Sequence, residues 1–271
     1  MSLTAGSGPF GTRPLGRFNF APDPPGAAIF WEPVPYRVRA VVGGEEVVDS
    51  RGAHLLHETG HLPVYYFPPE DVRPDVLVPS ETTTRCPFKG EATYHSIRVG
   101  DRRVVDAVWE YRDPLEPVAF IAGRRALYWR KADRWLVEDE EAHAHPRDPY
   151  HRIDVYATSR RVRVLLDGEC LADSTHAKAL FETGHPARWY LPRADVRPDL
   201  LEPSDTRTQC AYKGEAEHFH ALGHEDVAWT YAEPLRDGEP VRGLVAFYGE
   251  RVDLELDGEL QERPATQWSR S

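Results

Sequence analysis

The stretch HETGHLPVYYFPPEDVRPDVLVPSETTTRCPFKGEA, residues 57–92, returns almost intact as FETGHPARWYLPRADVRPDLLEPSDTRTQCAYKGEA, residues 181–216. An offset of 124 residues aligns Asp49-Ser50 with Asp173-Ser174, Glu58 with Glu182, Asp71 with Asp195 and Lys89 with Lys213. Further on the offset becomes 120, and DAVWEYRDPL at Asp106 meets DVAWTYAEPL at Asp226. Changes of offset fall where loops of different length are tolerated. A repeat of this length makes a tandem of small domains, because a solenoid has a shorter period. The repeat predicts an N-terminal extension over 1–35, a first domain over 36–145 and a second over 146–271. The join is the charged, Pro-bearing stretch EDEEAHAHPRDPYHRI, which has a linker's composition.

Within each copy the local signals are those of β-structure. YRVRAVVGGEEVVDS alternates and turns at Gly43-Gly44, and RVRVLLDGECLADS does the same at Asp167-Gly168, the marks of a two-residue hairpin. VYYF reads as a short buried strand, and PPEDVRPDVL as one helical turn opened by prolines. The later segments are rich in β-branched and aromatic residues. No stretch keeps a period of 3.6, and 24 prolines weigh against helices. The expected class is mainly β: two tandem small β-rich domains, each with five to eight strands and short helical turns.

Of the 271 residues, 41% are hydrophobic and 11% aromatic, as in a globular chain. A net charge of -11 argues against nucleic-acid partners and anionic membranes, since phosphate contacts need clustered Lys and Arg. No apolar run approaches the roughly 20 residues that span a bilayer. The first residues, MSLTAGSGPFGTRPLG, read as a lead-in without the pattern of a secretory signal. Three cysteines, an odd number, fit free thiols in a reducing cytoplasm.

The two copies act as controls on each other. Apolar positions drift within type, as Phe67 to Leu191, while Glu58, Thr59, His61, Asp71, Arg73, Asp75, Thr84, Cys86, Lys89 and Glu91 keep their identity. Cores accept volume-conserving swaps, whereas a hydrogen-bonded site does not accept loss of a partner. Glu-Thr-Gly-His has a structural reading, with Gly60 in a turn, Thr59 capping it and Glu58 holding a backbone N–H. Its functional reading makes His61, and His185 in the second copy, a general acid/base beside a carboxylate. Cys86 and Cys210 read as buried small hydrophobes, or as nucleophiles activated by the lysine three residues on. Lys89 (Lys213) either enters a tight turn or grips an anion that the next glycine lets approach. Asp71, Arg73 and Asp75 read as a surface ion-pair cluster. Trp109 and Tyr111 lie two apart and share a strand face. With Tyr66 they pack as core or wall an aromatic pocket. The metal test fails, because zinc wants closely spaced Cys/His pairs and the linker histidines His143, His145 and His151 do not repeat. Neither a P-loop, a G-x-G-x-x-G nor a G-x-S-x-G is present.

The ordered blocks ETGH, YYFP, DVRPDVL, CPFKGEA and WEY-DP, over residues 36–136 and again 161–256, resemble the family known as DUF427, a domain of unknown function. The resemblance implies a small all-β module with a β-tent-like fold. Relatives of that fold hold zinc through paired Cys-x-x-Cys motifs, which neither copy has, so no metal and no cofactor is expected. The family offers no catalytic residues to carry over.

The leading expectation is a cytoplasmic tandem module with one small-molecule pocket per repeat. Glu58, His61, Tyr66, Cys86, Lys89 and Trp109 line the first, and Glu182, His185, Tyr190, Cys210, Lys213 and Trp229 the second. In it Glu58, Tyr66, Lys89 and Trp109 and their equivalents bind the ligand. The rivals are a hydrolase or transferase of small metabolites, with His61 and His185 as acid/base and Cys86 and Cys210 as nucleophiles, and a protein-interaction scaffold.

Overall fold

A computed structural model describes Asn19 and residues 28–269; the rest of the expected lead-in lies outside the described residues. The chain divides into two compact units, Met1–Tyr150 and His151–Ser271. Among the described residues the first unit holds eleven strands: β1 (Ile29–Pro33), β2 (Val38–Val42), β3 (Glu45–Ser50), β4 (His54–Glu58), β5 (Val64–Phe67), β6 (Leu77–Cys86), β7 (Gly90–Val99), β8 (Arg102–Glu110), β9 (Arg125–Leu127), β10 (Arg134–Val137) and β11 (Glu140–Ala142). The second repeats them as β12 (Ile153–Ala157), β13 (Val162–Leu166), β14 (Glu169–Ser174), β15 (Lys178–Glu182), β16 (Arg188–Leu191), β17 (Leu201–Cys210), β18 (Gly214–Ala221), β19 (His224–Thr230), β20 (Val245–Phe247), β21 (Asp253–Leu256) and β22 (Glu259–Leu260).

Each unit builds one seven-stranded and one four-stranded antiparallel sheet. The orders are β1-β4-β5-β9-β8-β7-β6 and β11-β10-β2-β3, and the second unit repeats both. The β2–β3 hairpin turns at Gly43 (φ 61°) and Gly44 (φ 83°), its twin at Asp167 (φ 52°) and Gly168 (φ 84°). Two successive left-handed residues make the turn whose twist matches the flanking strands. PPEDVRPDVL forms two short 3-10 turns, Pro69–Asp71 and Pro74–Val76, where one was expected. Arg73 precedes a proline, which disfavours helical backbone, and Val72 bridges to Val48. The strands outnumber the expected five to eight. β4 buries Leu55, Leu56 and His57 in succession, so no alternation marks it. β6 is largely exposed and reads as loop.

Successive residues of a strand face opposite sides of its sheet, and here both sides are packed. On one side Leu55, Tyr65, Phe67, Ile97, Val108 and Leu127 join Val38, Ala40, Val48 and Trp135 of the four-stranded sheet in the main core. On the other, Leu56, Tyr66, Ala92, Tyr94, Tyr111 and Ala126 form a second cluster with Val118 and Ile121 of the 3-10 segment Glu116–Ile121. Burial of this apolar surface is what holds the layers together, at about 25 cal/mol per Å². The second unit repeats the two clusters. The retained polar groups at issue lie on or beside this second face.

Candidate functional site

Glu58 ends β4 and Lys89 sits in the turn between β6 and β7. Their side chains close an ion pair across 31 residues of chain, and Glu182 and Lys213 do the same. All four are largely buried, with 13% and 10% of the side chain exposed in the first unit and 7% and 8% in the second. Removing two charges from water is costly unless they are paired and otherwise hydrogen-bonded. The glycine after each lysine has a backbone reason. Gly90 (φ 104°) and Gly214 (φ 95°) need the left-handed region. A Cβ at Gly90 would lie 3.5 Å from Asp113 O and Leu115 N, and one at Gly214 3.1 Å from Leu235 N. Leu115 N–H donates to Lys89 O at 3.1 Å, and Leu235 N–H to Lys213 O at 3.0 Å. The close approach anticipated for a ligand is made by the protein's own loop.

Beside the pair stands an aromatic wall. Trp109 Nε1–H donates to Tyr66 Oη at 3.3 Å and Trp229 Nε1–H to Tyr190 Oη at 3.1 Å. Tyr128 and Tyr248 lie 4.4 Å, ring to ring, from Trp109 and Trp229. Burial raises the pKa of Tyr66, Tyr111, Tyr190 and Tyr231, so these phenols stay neutral. Cys86 and Cys210 are partly buried free thiols; Cys86 packs on the second cluster. The retained threonine holds a variable partner: Thr84 Oγ1 meets Tyr94 OH at 2.8 Å, and Thr208 Oγ1 meets His218 Nε2 at 3.0 Å.

The other retained groups go elsewhere. Thr59 caps the turn, accepting Ala28 N–H at 3.0 Å. Asp71 accepts Ser50 Oγ–H at 2.6 Å. Arg73 pairs with Asp75 on the surface at 2.5 Å. His61 is an exposed member of the Thr59–Gly60 turn, its N–H bonded to Glu58 O at 3.0 Å. His185 is also exposed, and its Nδ1 lies 3.0 Å from Thr183 O. Loss of water on its inner side lowers the His185 pKa, against the pull of Glu182.

Three features lie outside what the repeat comparison singled out, two on this face and one on the other side of the sheet. His151 Nε2 lies 3.0 Å from Glu182 Oε1, while Lys213 takes Oε2. The His151 ring stacks on Tyr212 at 4.2 Å and 18°. Burial pushes the Glu182 carboxyl up, but His151 and Lys213 outweigh it and hold the pKa at about 2. An ionised carboxylate only accepts, so His151 donates. The second feature is Arg188, whose guanidinium pairs with Glu250 through two 2.7 Å bonds. It lies 5.5–5.7 Å from the rings of Trp229, Tyr248 and Trp268. The first unit has Val64 and Arg130 in place of that pair. The third is His57, which is 1% exposed, its Nε2 2.7 Å from Glu32 Oε1. Tyr150 OH donates to Glu32 Oε2 at 2.7 Å. Among the described residues no cluster of three or more His, Cys, Asp or Glu groups is placed to hold a metal ion. No helix of the described residues is long and apolar enough to cross a membrane.

The fold and the paired faces define a class: tandem two-sheet β domains, each with a buried Glu–Lys pair against a Trp–Tyr wall. The chain belongs to the family described as a domain of unknown function, DUF427, whose model matches residues 30–138 and again 154–258. Among curated proteins no match is found.

Proposed function

We propose that the protein binds a small polar or aromatic ligand on the second face of the seven-stranded sheet, against the Glu–Lys pair and the Trp–Tyr wall. One observation carries this reading: a buried Glu–Lys ion pair is built in both units beside the same Trp–Tyr wall. Replacing a buried pair by packed apolar residues is often neutral or stabilising, so retaining it twice favours a polar task. Glu58 and Glu182 accept hydrogen bonds from a ligand, Lys89 and Lys213 balance their charge, and the rings supply area and orientation.

A thermal-shift screen of the full chain against nucleotides, amines and sugar phosphates tests it, repeated on Tyr128→Ala and Tyr248→Ala. At least one class is expected to stabilise the chain and to lose that effect in one of the variants. Stabilisation by no class, or by ligands indifferent to both variants, contradicts it. The acid/base alternative has one supporting observation. Because Nδ1 of His185 donates to the Thr183 carbonyl, Nε2 carries the lone pair of a neutral imidazole, as a general base needs.

A further inference from the structure

The chain beyond β22 returns to the second face of its own unit and is held there by side chains. Thr266 Oγ–H donates to Glu250 Oε1 at 2.7 Å, and the same oxygen accepts Trp268 N–H at 3.1 Å. Ser269 N–H donates to Thr266 O at 3.1 Å, so residues 266–269 close a turn that presents one ring. That ring, Trp268, lies 5.3 Å from His185 and 6.4 Å from Tyr248, with the Arg188 guanidinium 5.5 Å away. Arg251 Nε–H donates to Trp268 O at 3.0 Å. This mount belongs to the second unit. Tyr128 matches Tyr248, so Trp129, Arg130 and Lys131 stand where Gly249, Glu250 and Arg251 do, and Val64 stands where Arg188 does. A Cβ at Gly249 would meet Pro264 Cδ at 3.8 Å, so a side chain built there points at the passing chain.

The apolar packing of the unit does not depend on this segment. Among the described residues, neither apolar cluster of the second unit includes any of residues 261–269, and none of these residues is fully buried. Segments with few buried apolar contacts open at low cost. We infer that residues 264–269 form a releasable lid on the second unit's face, and that Trp268 is an internal ligand which a peptide with threonine two residues before tryptophan displaces. Glu250 takes the hydroxyl of such a peptide, and the Arg188 guanidinium takes the face of its indole. What the lid governs rests on the ligand-face reading above, because the closed lid lies against His185 and the Tyr248 ring.

The test titrates a fluorescent peptide of residues 262–269, Glu-Arg-Pro-Ala-Thr-Gln-Trp-Ser, against the full wild-type chain and against Trp268→Ala, followed by anisotropy. A lid closed for about nine-tenths of the time weakens a competing ligand about tenfold. Trp268→Ala is therefore expected to bind the peptide at least about tenfold more tightly than the wild type. The same peptide with alanine for its tryptophan is expected to bind neither chain. Thr266→Val removes the bond to Glu250 and keeps the ring, and is expected to raise peptide binding several-fold. This arm leaves Trp268 unchanged, so it stands even where Trp268→Ala does not fold. By nuclear magnetic resonance, the peptide added to Trp268→Ala is expected to move the indole N–H signal of Trp229 and not that of Trp109. Equal binding by the wild type and both variants, binding by no chain, equal binding of the two peptides, or movement of Trp109 alone overturns the inference. The two readings fail separately. If a class from the screen binds against the Trp–Tyr wall while the peptide ignores both variants, the lid falls and the ligand face stands. If no class binds while the variants gain the peptide, the ligand-face reading falls and the docking of the segment stands.

Discussion

The two units share a scaffold and differ in what lies on the face of their large sheets. In the second, His151 bonds Glu182, Arg188 and Glu250 pair under three aromatic rings, and Tyr212 is buried. In the first, Val64, Arg130 and Phe88 stand in place of Arg188, Glu250 and Tyr212, and Phe88 and Tyr128 are exposed. The difference separates two kinds of retained residue. Groups that hold the fold, such as Thr59 on Ala28 and Asp71 on Ser50, have the same partners in both units. The Glu–Lys pair is common to both, but only in the second unit does a histidine of the described residues bond its carboxylate.

The largest effects are expected where one member of a buried pair is removed. Lys89→Met should destabilise the first unit by about 3–5 kcal/mol, the cost of an uncompensated buried charge. Lys213→Met should cost less, because His151 still donates to Glu182. Hydrogen exchange followed peptide by peptide separates the two units and reads both values; equal costs would break the comparison. Arg188→Val should likewise cost about 3 kcal/mol or more by leaving Glu250 buried and unpaired. Adding Glu250→Arg, which gives the second unit the first unit's residues at both positions, should recover most of that loss. A double variant no better than the single would show that the aromatic cage, and not the ion pair, supports Arg188.

Backbone constraints should come next. Gly90→Ala and Gly214→Ala both force a side chain into left-handed backbone, at about 1–3 kcal/mol. Gly214→Ala is expected to cost more, since its Cβ would crowd Leu235 N at 3.1 Å against 3.5 Å for Gly90. Denaturation midpoints of the two variants check the order.

The smallest effect is one of pH. Burial lowers the pKa of His185 and His218 in the second unit, and of His54 and His95 in the first, below the ordinary value near 6.5. A histidine depressed by folding contributes stability that is whole above 6.5. That contribution is lost as the pH falls toward the depressed value, because the unfolded chain takes up the proton first. Both units should therefore soften below pH 6.5. His218→Tyr, which copies Tyr94 of the first unit, should flatten the acid side of the second unit's profile alone. A profile unchanged by His218→Tyr would remove His218 from the acid response.

Much of this was legible in the sequence, for reasons the structure makes plain. The repeat gave the two-unit architecture, and Gly43-Gly44 and Asp167-Gly168 gave the hairpins because only left-handed backbone closes such turns. Glu58 and Lys89 were drawn together by retention alone, and they do meet. The number of strands was hidden, because β4 packs on both faces and β6 is an exposed polar strand, so neither alternates. His151 was hidden because it lies outside the repeated blocks, where comparing the copies is blind; by composition it is one more linker histidine. Arg188 and Glu250 were hidden for the opposite reason. Both members of the pair change between copies, so a search for retained residues discards them. Features that distinguish the units are, by construction, invisible to a method that looks for what the units share.

The central claim is that the two faces bind ligand differently, because His151 bonds the carboxylate of the second unit's Glu–Lys pair and no histidine of the described residues bonds that of the first. The indole N–H signals of Trp109 and Trp229, both donors to the tyrosine of their own face, report on it in a single titration of the full chain, by nuclear magnetic resonance, with the class of ligand that stabilises it in the thermal-shift screen. The Trp109 signal is expected to move with ligand while that of Trp229 stays still. Equal movement of the two signals, or movement of Trp229 alone, would contradict it.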